Sequence, residues 1–117
     1  MPIVDLKDLP KQPFSGGATY QTIVGDDAGS TPVRVGVQIS PPGYSTGTHS
    51  HPYMEIVSII EGEGEAWMDG QDCVAAIGPG TTLVLPAYVK HGFRVTGTIP
   101  MKTYGVHASA KRIVERD

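Results

Sequence analysis

A chain of 117 residues is the size of one ordinary domain with one core, burying roughly two-thirds of the surface its unfolded form exposes. Its net charge of −3, with no run of Lys or Arg, argues against nucleic acid or an anionic membrane as the main partner. No apolar stretch approaches the roughly 20 residues of a membrane span, and the opening MPIVDLKDLPKQ lacks the apolar core of a secretion signal, so the expected location is cytoplasmic.

With 15 Gly and 10 Pro, the composition suits short strands and tight turns better than helices. Residues 1–17, with Pro2, Pro10, Pro13 and Gly16-Gly17, read as an arm laid over the domain or onto a partner, and residues 18–117 as the domain itself. Thr19 to Val24 is a strand candidate, followed by the polar turn Gly25 to Thr31. Val33, Val35, Val37 and Ile39 then alternate with Arg34, Gly36, Gln38 and Ser40, the period of a strand with two unlike faces. The favoured reading puts the valines in the core and leaves Arg34 and Gln38 at the surface or an interface.

After Pro41-Pro42-Gly43 comes GYSTGTHSHPYMEIVSIIEG, and then Gly62 and Gly64 near a reversal. Glu65 to Met68 leads into Asp69-Gly70, a strong hairpin signal, so Gln71 to Ile77 is expected to run back antiparallel. Trp67 could line a cavity, but a packed or interface role is the favoured reading. Cys73, alone in the chain, forms no intrachain disulfide and is expected to be a small buried hydrophobe. Thr81 to Leu85 is a short β-branched and apolar strand, HGFRVTG another, and Met101 to Ala108 the last. The tail SAKRIVERD reads as a helical turn or an edge strand added to a neighbour. Short strands at this spacing point to an antiparallel sandwich or barrel.

Chemistry concentrates at His49, His51 and Glu55. Residues i and i+2 of an extended strand point to one side, so two imidazoles set this way can converge on one point. Glu55 would lie roughly 13 Å beyond His51 if the chain stayed extended. A reversal is therefore required, and Pro52 suits one. His91, at the start of a downstream strand with Phe93 and Val95 in phase, can complete a set of three histidines and one carboxylate. An isolated HxH is weak evidence of a metal site, since most lone histidines are surface or satisfied core residues. The flanking glycine-rich turn, the acid and the third histidine strengthen it. Such a set contains no thiolate, unlike most closed structural zinc sites. It suits Mn, Fe, Co, Ni, Cu or Zn and leaves an octahedral ion two open positions. Tyr53, Tyr88 and Phe93 are the expected pocket residues beside it, Tyr53 and Tyr88 as catalytic candidates; Tyr53 either hydrogen-bonds a bound substrate or merely packs the turn. His107, at odd separation from Tyr104 on the last strand, reads first as a surface or interface residue and otherwise as a supporting residue or general base.

These residues resemble the cupins. Their first motif, G(X)5HXH(X)3-4E(X)6G, is matched by Gly43, His49, His51, Glu55 and Gly62; their second, G(X)5PXG(X)2H(X)3N, by Gly80, Pro86 and His91, with Tyr88 in place of glycine and Val95 in place of asparagine. The resemblance places motif 1 at 43–62 and motif 2 at 80–95 and implies an all-β, double-sheet jelly-roll barrel (a double-stranded β-helix). It further implies a divalent transition metal held by His49, His51, Glu55 and His91, and a small-molecule substrate. Dioxygenase-type oxidoreductase chemistry is the leading expectation; lyase, isomerase or decarboxylase chemistry and a non-catalytic, sugar-binding type of module are the alternatives. Exposed sheet edges and the habits of such small barrels make a homodimer the expected assembly.

Overall fold

A computed structural model describes residues 1–116. The strands are β1 (Gln12–Pro13), β2 (Thr19–Val24), β3 (Arg34–Ser40), β4 (Glu55–Glu61), β5 (Gly64–Met68), β6 (Ala75–Ile77), β7 (Thr82–Leu85), β8 (His91–Val95) and β9 (Met101–His107). They form a sheet in the order β1-β2-β3-β9-β4-β7 and a second in the order β6-β5-β8, with every pair antiparallel. The short, turn-separated apolar segments predict an antiparallel sandwich or barrel, and the arrangement is the double-sheet jelly roll that the cupin resemblance implies. No helix among the described residues is long and apolar enough to cross a membrane.

The two sheets close on a core made of Val57 and Ile59 of β4, Leu85 of β7 and Met101 of β9 against Ala66, Ile77, Phe93 and Val95 of the facing sheet. Most of this core lies toward one end of the sandwich. Register fixes that: Ser40 pairs with Met101 and Gly64 with Val95 at the packed end, while Glu55 pairs with His107 and Met68 with His91 at the other. At the packed end Gly62 has φ +87°, and a Cβ there would sit 2.7 Å from Met101 Cα, so both backbone hand and space require glycine. The opposite end stays open as a cavity of about 300 Å³.

Four expectations are corrected by the structure. The polar side of β3 faces inward, since Arg34 pairs with His107 and Gly36 with Gly105, and both Gly36 and Gln38 line the cavity. Barrel interiors that hold a ligand cavity relax the rule that the apolar face is the inner one. The opposite face carries Gln21 and its partner Val37, both buried; Gln21 Nε2 donates to the carbonyls of Leu6 and Leu9, which ties the N-terminal arm to the sheet. Cys73 is exposed, because the returning strand begins only at Ala75. Trp67 lines the cavity, its Nε1 donating to Thr48 Oγ1 at 2.9 Å. The tail folds back on its own chain, pairing Glu115 with Ser50.

Candidate metal centre

The reversal at Pro52 brings the three motif 1 side chains together. His49 is tied to His91 by an isolated β-bridge, with N–H···O bonds of 2.8 and 2.9 Å in both directions, so the two segments carrying these rings are directly paired. Glu55 opens β4 directly between Leu85 of β7 and His107 of β9. One ligand atom from each of His49, His51, Glu55 and His91 lies within 4.8 Å of the other three.

Ring orientation follows from the Nδ1 contacts. His49 Nδ1 lies 3.1 Å from the Gly47 carbonyl, His51 Nδ1 2.5 Å from that of Ile113, and His91 Nδ1 2.9 Å from that of Val89. A carbonyl only accepts, so each Nδ1 carries the hydrogen and each Nε2 is free to turn its lone pair inward. Glu55 Oε1 stands 2.9 Å from His51 Nε2 and 3.4 Å from His91 Nε2, and the buried His91 Nε2 has no hydrogen-bond partner. Lone pairs gathered so closely are satisfied by a cation at their centre, and the donor set fits a divalent transition metal. Burial pushes His49 down to about 4, which leaves it the neutral imidazole a metal requires. Burial pulls Glu55 upward, but hydrogen bonding, first of all from His107, outweighs it and holds the carboxyl well below its usual range.

His107 is buried, not a surface or interface residue. Its Nε2 lies 3.1 Å from Glu55 Oε2, the oxygen His51 and His91 leave free. A carboxylate only accepts, so His107 donates from Nε2 and its Nδ1 accepts a hydrogen bond from the Tyr53 hydroxyl at 2.6 Å. Tyr53 Oη in turn accepts from the Ile113 backbone N–H at 3.1 Å. Tyr53 thus stands behind the ligands, stacked on His51 with centroids 5.1 Å apart, instead of lining the cavity. Tyr88 is 68% exposed and also outside the lining; its φ of 66° is the left-handed geometry that the glycine of the motif would supply, and its backbone N–H donates to the His51 carbonyl at 2.7 Å. Phe93 does line the cavity.

Sequence reasoning passed over Tyr20, Tyr44, Arg112 and Arg116, all of which line the cavity. Tyr20 faces inward from β2 across Gly36, where a Cβ would fall 2.2 Å from the hydroxyl. That glycine in mid-strand was the available signal.

A model of the cupin domain matches residues 36–107, and the chain belongs to that family. It is 29% identical over 115 residues to a 5-nitrosalicylic acid 1,2-dioxygenase from Bradyrhizobium sp, covering 90% of this chain and 55% of the relative; the chain thus spans about half that enzyme's length. Protein SchB of Streptomyces halstedii is 33% identical over 98 residues, covering 83% of this chain and 70% of the relative. Among solved structures, the polyketide cyclase RemF from Streptomyces resistomycificus superposes with a TM-score of 0.82 at 20% identity, covering 99% of this chain and 84% of that one, a likeness of fold.

Proposed function

We propose that this chain is a metal-dependent small-molecule enzyme of the oxidoreductase type, with dioxygenase chemistry at a centre formed by His49, His51, Glu55 and His91. The observation that carries the reading is a largely buried four-residue ligand set lining a cavity of about 300 Å³ walled by aromatic and aliphatic side chains. A similar chain being a dioxygenase supports the reaction type. A bound divalent ion would supply Lewis acidity, and a redox-active one would also exchange electrons with dioxygen. The chain's own residues provide the rest. Three backbone carbonyls set the imidazole tautomers, His107 holds the outer Glu55 oxygen, and the apolar walls keep bulk water from the reacting atoms. An ion held by these four residues alone would keep room for a substrate with adjacent oxygens.

Ile56, Ile60, Val84 and Tyr104 are exposed, and the pairing of Ile56 with Val84 and of Ser58 with Tyr104 puts three of them on one outer face of the larger sheet; we propose that two copies pair there.

The test is oxygen uptake by the iron-loaded protein offered compounds with adjacent oxygens. Uptake matched by substrate loss, and abolished in His91→Ala, is the expected result. If no loaded metal supports turnover while the same compounds still raise the melting temperature, the chain is a binding module and the enzyme reading fails.

A further inference from the structure

The charge in the cavity is arranged unlike the charge of the whole molecule. The chain carries −3 overall. Yet Glu55 is the single acid among the lining residues, and it is already engaged by three imidazoles, whereas Arg112 and Arg116 also line the cavity. Among the described residues no carboxylate pairs with either arginine; the close carboxylate contacts are those of Glu55 with its imidazoles and the ion pair of Glu65 with Arg94. A metal ion in the centre would add further positive charge.

Arg112 is an exposed tail residue whose guanidinium packs on an aromatic ring, and among the described residues no counterion takes up its donors. Its guanidinium lies 4.8 Å over the Phe14 ring, and Phe14 stacks on Tyr20 with centroids 5.3 Å apart and planes 10° from parallel. Arm and tail therefore meet at this point and fix the guanidinium while leaving its fork of donors uncommitted. Tyr20 lines the same cavity, and its buried hydroxyl has no hydrogen-bond partner. Arg116 has one donor engaged, Nη1 to the Thr46 carbonyl at 2.6 Å. Trp67 and Phe93 supply flat apolar walls.

We propose that the cavity is built for a planar aromatic carboxylate, its ring against Trp67 and Phe93 and its carboxylate anchored by Arg112 with Tyr20 beside it, Arg116 adding a second positive charge at the mouth. This rests on the cavity being the substrate site, as proposed above, and makes Arg112 a specificity-determining residue. A guanidinium fork and a carboxylate match in plane and charge, whereas a neutral amide of the same shape offers one acceptor and two unwanted donors.

The test uses the chain's single tryptophan, Trp67, which lies in the cavity wall and reports binding by fluorescence. Benzoate, benzamide and cyclohexanecarboxylate are titrated into the metal-loaded full chain and into the same protein after chelation. Benzoate is expected to bind roughly 10-fold or more tighter than benzamide in both forms, the range of a charge-assisted hydrogen bond. It should also bind more tightly than cyclohexanecarboxylate. In Arg112→Gln the preference over benzamide should fall to about twofold or less, with metal content unchanged; Arg112→Lys, the variant to rely on if the glutamine protein does not fold, should keep a reduced preference. The proposal is overturned by equal affinity for benzoate and benzamide, by no binding, by a preference untouched in both Arg112 variants, or by one that disappears on chelation. Cyclohexanecarboxylate binding as tightly as benzoate would remove the aromatic part. None of these readings depends on turnover, so the loss of the enzyme reading and the loss of the anion anchor are separate results.

Discussion

Tyr53→Phe isolates one atom. The ring stays stacked on His51, 14° from parallel, and only the hydroxyl is lost. That hydroxyl donates to His107 Nδ1 at 2.6 Å and accepts from the Ile113 N–H at 3.1 Å. Both partners are left short of a hydrogen bond in a buried or half-buried place, which costs about 1–3 kcal/mol. For a domain of this size that is a fall in melting temperature of roughly 5–15 °C. The consequence for the metal is separate. The hydroxyl steadies His107, which holds the outer Glu55 oxygen, and it steadies Ile113, whose carbonyl orients His51. Loss of such an outer partner weakens metal binding by about 10–100-fold, and about 10-fold is expected here because every ligand atom remains. Thermal melts in excess chelator measure the first effect, and competition with a chelating indicator the second. A lower melting temperature with an unchanged metal dissociation constant would refute the coupling from the tail through Tyr53 to the ligands.

His51→Ala and His91→Ala should each strip the metal, measured by elemental analysis, while far-ultraviolet circular dichroism stays that of the wild type. Gly36→Ala should lower the melting temperature by roughly 5–15 °C, because its Cβ would meet the Tyr20 hydroxyl at 2.2 Å and overpacking costs about 1–3 kcal/mol. Gly105→Ala, at the position paired with Gly36, finds its nearest atom 3.9 Å away and should be tolerated; equal melts for the two would contradict the packing. Tyr88→Gly should raise stability slightly: a left-handed residue other than glycine costs about 1–2 kcal/mol, glycine's extra freedom costs about 0.5–1, and the 68% exposed ring has little packing to lose. A clear drop in its melting temperature would show that the ring packs after all.

How much of this was legible in the chain depends on how far apart the cooperating residues lie. His49, His51 and Glu55 fall within seven consecutive positions, so local strand geometry and one proline announce them, and His91 follows from its place at the start of a strand. His107 could be placed beside Glu55 only by knowing that β4 and β9 pair with those two residues opposite. No local pattern encodes that register. The same holds for the tail, whose Ile113 carbonyl reaches His51 and Tyr53 from some sixty positions away. The inversion of β3 has a different cause. Reading Val35 and Val37 as the inner face assumes that a barrel interior is core throughout, and in this one the inner face of β3 meets a cavity that Gly36 and Gln38 help to line.

That division of the interior also explains why ligand substitutions should spare the fold. The largest fully buried apolar side chains, Ile59 and Met101, sit at the end of the sandwich away from His107 and His91, in a cluster that contains none of the four candidate ligands. Burying such side chains stabilises by about 1.5–3 kcal/mol each, so most of the folding free energy is supplied where no ligand contributes. The site end is held differently, by backbone bridges of His49 to His91 and Ser50 to Glu115 and by side-chain bonds to carbonyls. Those bonds fix direction more than they add stability, since a net hydrogen bond contributes only about 1 kcal/mol. A centre fixed in this way can lose a ligand and its metal and still leave an intact barrel, whereas a cavity-forming change at Ile59 or Met101 would cost about 2–5 kcal/mol and take the site down with the fold.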